Sequence, residues 1–190
     1  HKPGCAVVTK HNSTKTHNAV RDALEGLATK AGVSFTHEPR YDGYIPPPGN
    51  PEYEHRQGPD VRLYLPQTLT VDVKGINPAC PSYRNTPTTR VEKAKARDAT
   101  RLYGPFCAAM EERFCVPCFH VTGHLNPTMV AVAKELCDAR ADLLDPRTEM
   151  VTLAVVVARE VGRILLHFAS LHRAPRRGRR PLHGSDLRPR

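Results

Sequence analysis

The sequence predicts a small α/β domain, with α+β as the variant arrangement, in which helices cover both faces of a small mixed sheet. Three observations predict it. Ala19, Val20, Ala23, Leu24, Leu27, Ala28 and Ala31 recur at helical spacing. Two strand-like runs, Asp60 to Leu65 and Thr68 to Ile76, are separated only by Pro66-Gln67 and read as a hairpin. Asn126-Pro127 and Asp145-Pro146 each place a capping side chain ahead of a proline, which is how a helix starts.

Taken in order, the first helix covers residues 18–31 and stops at Gly32. Val33 to Glu38 reads as a short strand. Pro39, Pro46, Pro47, Pro48 and Pro51 then exclude regular structure over residues 39–57. The hairpin comes next, then a polar loop from Asn77 to Thr88. Arg90 to Tyr103 reads as a charged helix, broken by Gly104-Pro105, with Pro105 starting a further turn to about Phe114. Pro117 to Thr122 reads as a buried strand. The capped helices run from residue 127 to about 139 and from residue 146 to about 172.

The 190 residues carry 28 Lys+Arg against 19 Asp+Glu, a net charge of +9, and 39% hydrophobic residues are enough for one core. The charge is uneven, because residues 173–190 hold seven Arg and one Asp, or +6 of the total. This tail is expected to be disordered and to attract phosphate without reading sequence. The most apolar stretch, Val151 to Leu171, contains Arg159, Glu160 and Arg163, which argues against a membrane span. The chain begins at His1 with no charged-then-apolar leader and reads as a piece of a larger protein. The six cysteines form no disulfide framework, and Cys115-Val-Pro-Cys118 reads as a packed turn entering a strand rather than a zinc site.

The chemistry-bearing stretch is Gly58-Pro59-Asp60 followed, after eleven residues, by Asp72-Val73-Lys74. Asp72 and Lys74 are two apart on a strand and project from one face with Thr70, while Leu69, Val71 and Val73 face the other way. The hairpin can bring the Asp60 carboxylate beside that of Asp72. Paired carboxylates repel, and a hard cation such as Mg²⁺ (or Mn²⁺) relieves the repulsion by taking oxygens from both. Lys74 would then lie beside a cation-bound water, a nucleophile for a phosphodiester. Glu38 is placed to add a third oxygen. The plainer alternatives are a structural Asp72–Lys74 ladder pair on an edge strand and a solvated Glu38.

This order of parts resembles the PD-(D/E)XK nuclease core. Lys93-Ala94-Lys95-Ala96-Arg97, then Arg101-Leu102-Tyr103, is similar to the basic helix ending in Tyr that comes after the catalytic strands in one branch. That branch is the restriction-like endonuclease at the C-terminus of site-specific non-LTR retrotransposon proteins, with the spliced-leader-gene elements nearest. Phe119-His120-Val121-Thr122-Gly123 resembles the strand that comes next there. Lys15-Thr16-His17-Asn18 resembles the basic-His motif between zinc knuckle and nuclease core. His1 and Cys5 fit as the last two ligands of a Cys-Cys-His-Cys zinc knuckle. The resemblance implies catalytic roles for Asp60, Asp72, Lys74 and Tyr103, and leaves the basic helix residue unassigned.

The organisation expected is a knuckle remnant and linker over residues 1–17, the endonuclease domain over 18–140, a C-terminal helix over 141–172 and the tail over 173–190. Lys15, His17, Lys93, Lys95, Arg97, Arg101, Arg176, Arg177, Arg179 and Arg180 are the candidate nucleic-acid contacts. His17 reads equally as a solvated residue in the first turn of the 18–31 helix, Tyr103 as core, His120 as a hydrogen-bonded core histidine and His124 as a loop residue. The function implied is a Mg²⁺-dependent nick in double-stranded chromosomal DNA, in the nucleus. The partners implied are the DNA target and, through the rest of the polyprotein, the element's RNA, with no membrane. The alternatives are an inactive nucleic-acid-binding domain and an interaction domain whose tail binds RNA.

Overall fold

The computed structural model describes residues 6–40, 58–78, 80–83 and 85–173. Helix α1 spans Ala6–Lys30, α2 Thr88–Ala109, α3 Pro127–Asp138 and α4 Pro146–Arg173. The strands are β1 Phe35–His37, β2 Val61–Leu63, β3 Leu69–Val71, β4 Lys74–Ile76, β5 Arg113–Cys115 and β6 Cys118–His120. A four-stranded sheet has the order β1-β2-β3-β5, antiparallel except for the parallel β3–β5 pair. A second, parallel pair joins β4 to β6. The domain is a mixed helix and strand fold.

Helix α1 ends as its sequence predicts. Gly32 takes φ +67, the Val33 amide bonds the Ala28 carbonyl at 2.9 Å and the Gly32 amide bonds that of Thr29 at 3.0 Å. These two bonds are a Schellman cap, open to glycine because it has no Cβ to strain at positive φ. Its start differs from expectation. Residues 6–17, read as linker, are continuous with the helix, so His17 lies mid-helix rather than in the first turn.

The expected single strand 68–76 is two strands, interrupted at Asp72-Val73. The Asp72 amide bonds the Cys115 carbonyl at 3.1 Å and the Lys74 amide bonds the Pro117 carbonyl at 2.9 Å, so the pairing runs past the interruption. The register sets the amide of residue 117 as the next donor, and proline has none. Helix α2 also departs from expectation, continuing through Pro105 to Ala109. Proline removes one ladder bond, but Ala99, Tyr103 and Cys107 are buried at four-residue intervals and hold the helix on the sheet. Strand β5 stands where the sequence suggested the end of a helical turn. Glu111, at φ 56, makes the reversal without glycine or proline.

Two cores result. Val20, Leu24, Leu27, Leu63, Val71, Val73, Phe119, Met129, Leu136, Leu153 and Val157 pack together between the strands and α1, α3 and α4. Ile76, Val91, Ala99, Val116 and Cys118 pack under α2, on the other side. Helices thus cover both faces. Helix α4, expected as a separate C-terminal element, contributes Leu153 and Val157 to the main core. Among the described residues no helix is long and apolar enough to cross a membrane.

Gly58 lets the turn that carries Asp60 lie directly against the end of β1. A Cβ on residue 58 would lie 1.8 Å from the Pro39 carbonyl oxygen, a clash with backbone that no rotamer relieves. Gly58→Ala is expected to cost about 2 kcal/mol or more, as overpacking does. A denaturant midpoint equal to that of the parent protein would show that the two segments part freely.

Candidate functional site

One cleft of about 930 Å³ gathers side chains from α1, β1, the Gly58–Asp60 turn, the β3–β4 interruption and α2. Its lining includes His17, Glu38, Asp60, Asp72, Lys74, Lys95 and Tyr103, all singled out from sequence. Backbone bonds fix Asp60 on both sides, from its amide to the Val71 carbonyl at 3.0 Å and from the Glu38 amide to its carbonyl at 2.8 Å. Its Oδ2 accepts the Val73 amide at 2.6 Å. The interruption between β3 and β4 therefore turns a ladder donor toward a carboxylate.

His17 reaches the same oxygen from α1. Its Nε2 lies 3.2 Å from Asp60 Oδ2 and 3.0 Å from the Val73 carbonyl oxygen. Both are acceptors, so Nε2 carries the proton. Burial works against a charged His17, but the hydrogen bond and charge of Asp60 outweigh it and raise its pKa above 6.5. Burial likewise opposes a charged Asp60, and His17, Lys74 and the Val73 amide together lower its pKa below 3.8.

The depressed carboxyl adds stability above its unfolded pKa, lost as pH falls through the folded value. The raised imidazole adds stability below 6.5, lost as pH rises through its folded value. In metal-free protein the pair contributes most between about pH 4 and pH 6.5. His17→Ala is expected to lower Tm most at pH 5.5 and least at pH 8.5. A Tm gap that does not change with pH would reduce His17 to packing alone.

Asp72 is 3% exposed and Lys74 Nζ stands 2.6 Å from its Oδ2. Oδ2 is thus buried against the Lys74 ammonium, a close ion pair held at the edge of the cleft. Burial pushes the Asp72 carboxyl up to about 6; Lys74 pulls it down, and neighbouring Asp60 pushes it up again. The two aspartates are thus electrostatically coupled across the cleft floor, as adjacent carboxylates are.

Glu38 also lines the cleft, but its Oε1 accepts from Arg21 Nη1 at 2.7 Å, so cation binding there would compete with a guanidinium. Tyr103 is 2% exposed, with its ring edge-on to Phe114 at 6.1 Å between centroids, and also borders the cleft. Of the four basic candidates on α2, Lys95 lines the cleft, one turn from Asp98 and Ala99, while Lys93, Arg97 and Arg101 lie outside its lining. That placement selects among residues the spacing left equal. Lys15 is exposed on α1. His1, Cys5, Arg176, Arg177, Arg179 and Arg180 lie outside the described residues.

Sequence reasoning missed Arg21, which is buried on α1 and holds Asp22 as well as Glu38. Its four-residue spacing from His17 was the available signal, since such a pair shares one helix face. Cys115 and Cys118 fall on β5 and β6, and burial pushes both thiols up to about 12. In the metal-free protein both are therefore thiols rather than thiolates at neutral pH.

Compared with known proteins, the chain matches no family model, and no curated protein matches it in sequence. The functional reading therefore rests on the geometry of the cleft.

Proposed function

We propose that this domain is a divalent-cation-dependent DNA endonuclease with a PD-(D/E)XK core, the nicking domain of a non-LTR retrotransposon reverse-transcriptase protein. One observation carries the proposal. Asp60 and, after eleven residues and a hairpin, Asp72 and Lys74 meet in one cleft, with the Lys74 ammonium 2.6 Å from a buried Asp72 oxygen.

The donor set suits a hard cation. Asp60 and Asp72 offer carboxylate oxygens, which Mg²⁺ or Mn²⁺ prefers, and among the described residues no sulfur ligand lines the cleft. A cation held there would polarise a phosphodiester and acidify a water. The chain's own residues do the remaining work. His17 and the Val73 amide hold the Asp60 carboxylate in place. Lys74 supplies positive charge beside Asp72. Lys95 sets a second cation at the cleft wall, where a phosphate would meet it, and Lys93, Arg97 and Arg101 extend that charge along α2.

In this proposal the substrate is double-stranded chromosomal DNA in the nucleus, and the nick leaves a 3′ hydroxyl that primes copying of the element's RNA. The close Asp72–Lys74 pair also favours a second reading, an inactive domain that binds nucleic acid and keeps the pair for structure. Incubating the protein with supercoiled plasmid, with and without Mg²⁺, separates the two. Nicked circles that EDTA prevents support the nuclease; stable binding without nicks supports the second reading.

A further inference from the structure

Away from the cleft, Glu92, His120 and His124 form a second cluster whose candidate ligand atoms all lie within 4.8 Å of one another. Glu92 comes from α2, His120 from β6 and His124 from the turn after it. None of the three lines the cleft. We propose that this cluster is a binding site for a transition-metal ion, Zn²⁺ in particular, that ties α2 to β6.

The turn is built to bring the two imidazoles together. Gly123 takes φ +91, its amide bonds the His120 carbonyl at 2.9 Å, and the His120 amide bonds the His124 carbonyl at 2.8 Å. This closes a tight loop and sets the two rings 4.8 Å apart between centroids. His120 Nε2 is 2.7 Å from Glu92 Oε1, so the ring donates its N–H to the carboxylate that would be the third ligand. The proton now shared between imidazole and carboxylate is the one a metal displaces.

Donor type selects the ion. Two imidazoles and one carboxylate are a His₂Glu set, which suits Zn²⁺ and its neighbours, whereas Mg²⁺ prefers oxygen throughout. Tetrahedral bonds of about 2.0–2.1 Å put ligand atoms about 3.4 Å apart. In this proposal side-chain rotation draws the cluster in from 4.8 Å toward that spacing. Exposure runs from buried His120 through half-buried Glu92 to exposed His124, so the fourth position faces water. The bland alternative is a His120–Glu92 hydrogen bond with His124 alongside by chance.

The test is titration of the full chain with Zn²⁺ by calorimetry and with Co²⁺ by visible absorption. The expected result is one site with cobalt d–d bands and no thiolate-to-cobalt charge transfer, and a Tm that rises with Zn²⁺. His124→Ala, at an exposed position, and Glu92→Gln, which keeps a hydrogen-bond partner for His120, should each weaken Zn²⁺ about tenfold or more while leaving the metal-free Tm in place. Asp72→Asn and Cys5→Ser should leave the site intact. The proposal is overturned by no Zn²⁺ binding at micromolar concentration, or by binding that His124→Ala and Glu92→Gln leave unchanged. It is equally overturned by binding that Cys5→Ser or Asp72→Asn removes. None of these readouts needs DNA cleavage, so the zinc site and the nuclease reading stand or fall separately.

Discussion

Asp72→Asn is expected to lose Mg²⁺-dependent nicking by on the order of 10³-fold or more, the scale on which a group acting on transition-state charge contributes. DNA affinity should stay near that of the parent protein, because phosphate binding rests on Lys and Arg elsewhere. The same substitution should raise the stability of metal-free protein at pH 8. Burial, set against Lys74 and reinforced by Asp60, pushes the Asp72 carboxyl from 3.8 up to about 6. A carboxyl raised on folding favours the native state at low pH and costs stability as pH rises through the folded value. Two units correspond to about 3 kcal/mol at full ionisation. Asparagine keeps the shape without the charge, so Tm at pH 8 should rise by about 6–12 °C. Unchanged nicking would remove Asp72 from the site. A fall in Tm with nicking lost would make the Asp72–Lys74 pair a structural one.

Lys74→Ala has the second-largest expected effect, a loss in cleavage rate at saturating Mg²⁺ on the order of 10²-fold. Its pH dependence separates chemistry from structure. Lys74 pulls the Asp72 carboxyl down and helps lower that of Asp60, so without it both titrate higher. The acid limb of the pH–rate profile should therefore move to higher pH, and more Mg²⁺ should be needed at pH 6 than at pH 8. Equal losses in rate and Mg²⁺ affinity at every pH would recast Lys74 as a partner that only holds the carboxylates apart.

The parts of the fold legible in the sequence are those set by local chemistry. Gly32 ends α1, and Asn126 starts α3 by accepting the Met129 amide at 2.9 Å. Asp145 starts α4 by accepting the Thr148 amide at 3.0 Å, and Pro66-Gln67 turns β2 into β3 with Leu63 opposite Leu69. The parts not legible depend on segments far apart in the chain. The break at Asp72-Val73 is set by Pro117 across the pair and by Asp60 taking the Val73 amide. Helix α2 crosses Pro105 because the sheet beneath it holds Tyr103 and Cys107. Strand β5 is three residues long and owes its existence to β3 beside it.

The candidate site divides in the same way. Asp60, Asp72 and Lys74 were legible because period-2 alternation and a short hairpin place them. The coupling of His17 to Asp60 was not, since it spans 43 residues and needs the packing of α1. Lys95 stood out from Lys93, Arg97 and Arg101 only once the rotation of α2 was fixed. His120 read as a core histidine and His124 as a loop residue, Glu92 carried no signal of its own, and only the fold makes them a group.

The most direct measurement is a time course of supercoiled plasmid with purified protein, Mg²⁺ and an EDTA control, then extension of the products with a DNA polymerase. A nuclease centred on Asp60, Asp72 and Lys74 converts the plasmid to nicked circles only with the cation, and leaves 3′ ends that the polymerase extends. Plasmid that stays supercoiled with Mg²⁺ and with Mn²⁺, from pH 6 to pH 9, while gel shifts show the protein bound to it, would contradict the nuclease reading.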